Sequence, residues 1–198
     1  MKTFTLTLLL LCCCCFGCGR QTPPTELPTF TENGHLRVVI ERPAGTNHQV
    51  TYDPSAQSFY PPPEDSAAAK FDFLPYPGNY GFVPSTRPDT QRDRPLSTLL
   101  LAESMPTAFS IEAKPLALVR LICPQGDRYC LLTIPAAPAR RLMPDSTLNQ
   151  LKQNHPAALQ ILELWLKHHQ PADSVQSIQW QDEQQALQQV RAWAVGEA

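Results

Sequence analysis

Residues 76–101 read Y-P-G-N-Y-G-F-V-P-S-T-R-P-D-T-Q-R-D-R-P-L-S-T-L-L-L. Tyr76 and Tyr80 bracket a Pro-Gly-Asn turn, an apolar segment follows, and a charged loop leads back into a second apolar run. A loop delivered by two strands is where a rigid scaffold positions chemistry, because its backbone polar groups stay near solvent. The charges on this one are Arg87, Asp89, Arg92, Asp93 and Arg94, so its balance is basic.

Working outward, the flanking segments read as further strands. His35 to Glu41 is β-branched and ends in a carboxylate, and Gln49 to Tyr52 leads into an Asp53-Pro54 turn from which Ser58 to Tyr60 pairs back. Phe71 to Pro77 carries aromatics toward the tyrosine turn. Leu96 to Ala102, Ala117 to Ile122 and Tyr129 to Ile134 are the remaining strand candidates. Five or more strands joined by short turns predict a mainly β, α+β domain with a closed barrel, since closure removes exposed edges. The period changes in the last third. Pro156 opens a helix to about His169, with Leu159, Leu162 and Leu166 on one stripe and Ile161 with Trp165 beside it. Asp182 caps a final helix in which Ala186, Val190 and Trp193 recur at helical spacing.

The chain has 198 residues and 21 prolines, which suits one loop-rich domain and excludes long uninterrupted helices before about residue 145. Its formal net charge is −2 with no block of like charge, so nothing electrostatic recruits nucleic acid. Lys2 precedes an apolar run from Phe4 to Phe16, the size of a signal-peptide core and too short for a bilayer span. Gly17-Cys18 closes that run in a partial match to a bacterial lipobox. On that reading residues 1–18 are an export signal and Cys18 carries a lipid anchor; ordinary cleavage near Gly17 or Gly19 is the alternative. Residues 19–33, Pro/Thr-rich and without hydrophobic period, are expected to be a disordered tether, with the folded domain over 34–198.

Five of seven cysteines lie in or next to the signal, leaving Cys123 and Cys130 in the body. They bound C-P-Q-G-D-R-Y-C, where a two-residue turn at Gly126-Asp127 would set them opposite each other, so an exported chain is expected to form a Cys123–Cys130 disulfide.

The order of motifs resembles the soluble family I inorganic pyrophosphatases. The resemblance rests on V-V-I-E-R-P-A-G-T-N-H-Q-V-T-Y-D-P at 38–54, Y-P-G-N-Y-G-F-V-P at 76–84, R-P-L-S-T-L-L-L at 94–101, K-P-L-A-L-V-R-L at 114–121, and the Lys167 helix followed by Trp180. It implies an OB-like five-stranded closed barrel with two C-terminal helices. For working members it implies Mg²⁺-dependent hydrolysis of pyrophosphate to two phosphates, in which metal ions lower the pKa of an attacking water held among carboxylates. Dimers and hexamers in the family leave an oligomer open.

Residue by residue, the resemblance carries little of that chemistry. Glu41, Tyr80 and Lys167 match active-site positions. The D-G-D-P-x-D loop that binds metal in the family matches Arg92, Asp93, Arg94, Pro95, Leu96 and Ser97, with Asp89 or Asp93 left to compensate after a register shift. A second metal-site aspartate becomes Arg128, a phosphate-binding arginine falls near Ala68 with Lys70 close by, and the lysine of the same hairpin becomes Cys130. The expectation is a site whose sign is reversed: Mg²⁺ lost, and Arg92, Arg94, Arg128 and Lys70 available to bind phosphate or pyrophosphate directly. A reduced Mg²⁺-dependent phosphohydrolase using Glu41, Asp89 and Asp93 is the competing reading.

Overall fold

The computed structural model describes residues 22–47, 49–61, 74–89, 94–168 and 175–196. The Cys18 lipobox, Lys70, Arg92 and Asp93 lie outside them. Eight strands run in chain order as β1 (Leu36–Arg42), β2 (Thr51–Asp53), β3 (Ser58–Tyr60), β4 (Asn79–Val83), β5 (Leu96–Leu100), β6 (Ser110–Ile122), β7 (Arg128–Pro135) and β8 (Ser177–Gln181). Among the described residues three α-helices follow the barrel strands: α1 (Leu148–Asn154), α2 (Pro156–His168) and α3 (Glu183–Trp193).

Five of the strands close on themselves. β1 pairs with β4, β4 with β5, β5 with β7 in parallel, β7 with β6, and β6 returns to β1. The expected five-stranded OB-like barrel is therefore present, with β8 added on β6 and β2–β3 forming a separate hairpin. β6 serves three neighbours, β1, β7 and β8, because it is 13 residues long, and it shifts register at Pro115, a residue a central strand accepts only at such an irregularity.

The period-2 alternation of the strands divides the core in two. Leu36, Val38, Ile40, Leu96, Leu118 and Leu131 fill the barrel interior together with Ala186, Val190 and Trp193 of α3. Inside it the hydroxyls of Thr98 and Thr133 satisfy each other at 3.0 Å. Leu99, Val119 and Leu132 face the other way, onto Leu151, Leu162, Trp165 and Leu166 of α1 and α2. Asp182 caps the start of α3 as its sequence predicts, and Gln185 completes a capping box there. Ile161, expected beside the packing stripe, is 60% exposed. No helix among the described residues is long and apolar enough to cross a membrane.

Two expectations need correcting. Residues 22–33 are docked on the barrel rather than hanging as a tether. The Thr29 side chain is buried and its hydroxyl bonds to the carbonyls of Pro84 and Ser85, Ser85 Oγ donates to the Leu27 carbonyl, and Leu27 packs against Val39 and Phe82. Such side-chain bonds to backbone leave no hydrophobic period in the sequence.

The second correction concerns the cysteines, which are both buried free thiols. Gly126 N–H donates to the Cys123 carbonyl, so the turn is centred on Pro124-Gln125, with Pro at its second and Gly at its fourth position. That centre places Arg128 opposite Leu121 and Cys130 opposite Val119. Four residues of strand, ~13 Å at ~3.3 Å per residue, separate Val119 from Cys123, well outside the reach of a disulfide.

Candidate functional site

The tyrosine stretch is built for close approach. An ideal Cβ on Gly81 would fall 1.9 Å from the Val39 carbonyl oxygen, and one on Gly78 2.8 Å from that of Leu100. Any larger residue would push β4 off its neighbours. Asn79, fully buried, accepts from the N–H groups of Ala44 and Met105 and donates to the carbonyls of Ala102 and Glu103. It clamps two loops, the one after β1 and the one after β5, to the start of β4. Asp53 likewise serves its own turn, accepting from the backbone and hydroxyl of Ser55.

Opposite Gly81 the β1–β4 ladder loses register. Ile40 faces Gly81 and Arg42 faces Tyr80, which leaves Glu41 as an extra residue. In a regular strand, consecutive side chains point to opposite faces; this bulge lets Glu41 and Arg42 line the same cavity. The cavity, about 160 Å³, is also lined by Tyr52, Tyr80, Arg94 and Ser97. Glu41 and Arg94, both predicted from the sequence, thus meet Tyr80 here.

Arg42 was not singled out by the sequence reading, and it dominates the chamber. Its guanidinium donates to the Val50 carbonyl at 2.8 Å, the Tyr76 hydroxyl at 2.8 Å and the Thr51 hydroxyl at 3.0 Å. It also lies over the rings of Tyr76 and Tyr80, 5.4 and 5.1 Å from their centroids. At 6% exposure this is a fixed internal cation. Its partners lie within the two stretches already read as important, but only the bulge reveals that it turns toward them.

Glu41 accepts from the Tyr52 N–H at 2.9 Å. Burial raises its pKa, against the opposing pull of that hydrogen bond and of the Arg42 and Arg94 charges. Burial also pushes the Tyr80 phenol up to about 12, so it remains a neutral donor. The Cys130 thiol nearby is likewise pushed up to about 12 by burial, although the Arg128 charge opposes this.

Other expected residues stand elsewhere. Lys167 is paired with Glu163 at 2.9 Å along α2, and Asp89 accepts from Trp193 Nε1 at 3.5 Å. Neither they nor Arg128 lines the Glu41 chamber. Among the described residues, no group of three His, Cys, Asp or Glu side chains is placed to hold a metal ion. Among the described residues the chamber offers one buried carboxylate beside a buried guanidinium, a set that does not fit a Mg²⁺ cluster, which needs several hard oxygen ligands. A cation there would meet repulsion of about 4 kcal/mol per close unit charge at an effective dielectric of ~20.

The family model for inorganic pyrophosphatase matches residues 38–195, from β1 past the end of α3. The chain belongs to the inorganic pyrophosphatase family. Similar solved structures include the inorganic pyrophosphatase from Thermus thermophilus, at 20% identity over 86% of this chain and 96% of that one, with a TM-score of 0.65. The inorganic pyrophosphatase from Neisseria gonorrhoeae is 21% identical over 86% and 95%, TM-score 0.64. The type I inorganic pyrophosphatase from P falciparum is 14% identical over 86% and 61%, TM-score 0.73. A comparison with curated proteins gives no match. These identities speak for the pyrophosphatase fold. The family is metal-dependent and takes pyrophosphate, whereas among the described residues the chamber of this chain presents Arg42, Arg94 and Ser97 around a single acid, Glu41.

Proposed function

We propose that this pyrophosphatase-fold protein binds a phosphate-type anion, pyrophosphate first among them, without a divalent cation and without hydrolysing it. The observation that carries this is Arg42, a buried guanidinium locked by three hydrogen bonds and two rings beside Glu41, the only acid among the described residues that line the chamber. Arg94 supplies an exposed forked donor at the mouth, and Ser97 and the neutral Tyr80 hydroxyl line the wall. Among the described residues of the chamber, Glu41 is the one group that opposes an anion. Its raised pKa eases that opposition, and a bound anion favours its proton further, so affinity rises as pH falls. Hydrolysis needs an activated water, and a single desolvated carboxylate committed to the Tyr52 N–H is a poor generator of one.

We also propose that the protein works outside the cytoplasm, held to a membrane through Cys18. Support for this comes from the sequence alone, from Lys2, the apolar Phe4 to Phe16 run and Gly17-Cys18. Loss of labelled fatty acid from Cys18→Ala would be the expected result, and unchanged labelling the contrary one.

Calorimetric titration with pyrophosphate tests the binding reading. Heat of binding is expected in EDTA, unchanged or weakened by Mg²⁺, and lost in Arg94→Ala. Binding that requires Mg²⁺ and yields phosphate would favour the reduced phosphohydrolase instead.

A further inference from the structure

The Glu41 chamber does not end at Arg94. A second cavity of about 450 Å³ adjoins it, and the two share Thr25, Pro54, Arg94 and Pro95 as common walls. The outer cavity adds Arg87, Glu26 and Val195. Thr25 and Glu26 belong to the docked N-terminal segment, positioned by Ser85 N–H donating to the Thr25 carbonyl. Arg87 is fixed at its backbone by its own N–H, which donates to the Trp193 carbonyl at 2.8 Å. Three guanidinium groups therefore follow one another along a continuous groove, Arg42 at the inner end, Arg94 at the junction and Arg87 at the outer end. Two carboxylates, Glu41 and Glu26, face them.

We infer that the groove takes a linear condensed phosphate longer than pyrophosphate, its phosphoryl units laid from Arg42 past Arg94 to Arg87. The inference rests on the anion-binding reading above and deepens it. A small anion needs only the inner chamber, and the outer one is roughly three times larger. What the outer chamber offers is a further forked donor, suited to another phosphate group. No aromatic ring is among the described residues that line it, so they offer no stacking surface of the kind a nucleobase would use. Among the described residues its apolar side chains are Pro54, Pro95 and Val195, too few to hold a long hydrocarbon.

The test is titration of the full chain in EDTA with sodium orthophosphate, pyrophosphate, tripolyphosphate and ADP. Tripolyphosphate is expected to bind about tenfold more tightly than pyrophosphate, the value of one added charge-assisted contact. Arg87→Ala, an exposed position, should abolish that margin while leaving pyrophosphate affinity within about twofold. Equal affinity for the two anions, or equal weakening of both by Arg87→Ala, would overturn the inference and leave the anion site standing. ADP binding more tightly than tripolyphosphate, indifferent to Arg87→Ala, would assign the outer chamber to an ester group and also overturn it. Absence of binding by every anion would defeat the anion-site reading and this inference together.

Discussion

Replacing Arg42 by Met retains much of the aliphatic stem and removes the guanidinium, and the structure says what that costs. Three hydrogen bonds from a charged donor disappear, to the Val50 carbonyl, the Tyr76 hydroxyl and the Thr51 hydroxyl. Such bonds contribute ~1.5–3 kcal/mol each, and the contacts over Tyr76 and Tyr80 add ~0.5–2 kcal/mol. Against this, Met avoids the desolvation of a buried cation, which offsets a large share of the gross gain. A net loss of about 3 kcal/mol is expected, lowering the melting temperature by roughly 6–12 °C for a domain of this size. The loss should be polar in position: Val50 and Thr51 lead into the β2–β3 hairpin, so amide exchange at Tyr52, whose N–H bonds to Glu41, should speed up most. Arg42→Lys keeps the charge but not the fork and should fall between wild type and Met. Chemical and thermal unfolding read the first effect, and hydrogen exchange the second. A loss under ~1 kcal/mol with unchanged exchange at Tyr52 would refute the view that Arg42 is the organising cation of the chamber.

Glu41→Gln should flatten the pH dependence of stability. The folded pKa of Glu41 is raised, so the folded state holds its proton to higher pH than the unfolded chain does. Its contribution is therefore present below the unfolded value near 4.5 and is lost as pH rises through the raised folded value. Denaturation midpoints from pH 4 upward check this, on the order of single pH steps; an unchanged slope in the variant would contradict it. Asn79→Ala orphans the partly buried N–H groups of Ala44 and Met105 and is expected to cost about 2–4 kcal/mol, measured by denaturant unfolding. Alkylation without reductant should leave Cys123 and Cys130 unmodified in the folded protein and modify both after denaturation. A disulfide-linked peptide carrying the two would contradict the hairpin register.

The barrel was legible because alternation and turn chemistry are local. L-R-V-V-I-E-R, L-S-T-L-L and R-Y-C-L-L-T-I-P each formed strands, and Asp182 capped its helix as its position implied. Where the reading failed, longer-range geometry decided. Pro124 and Gly126 set the hairpin centre two residues earlier than Gly126-Asp127 would, and that small displacement separates the thiols. The short strand S-I-Q-W-Q went unread because it is held by the edge of β6 more than by a buried face of its own. Thr29 docks through a hydroxyl, which no hydrophobic pattern records. Of the site, Glu41, Tyr80 and Arg94 were visible as matched positions. Arg42 was not, since period-2 logic turns it away from Glu41 and only the bulge brings it back.

On the proposed function, the buried Arg42 guanidinium beside Glu41 disfavours a divalent cation there, and the chamber binds its anion without breaking it. Phosphate release from pyrophosphate, followed across Mg²⁺ and Mn²⁺ concentrations with Glu41→Gln in parallel, measures this most directly. The account predicts release indistinguishable from buffer for both proteins at every metal concentration. Metal-dependent release by the wild type that vanishes in Glu41→Gln would contradict it.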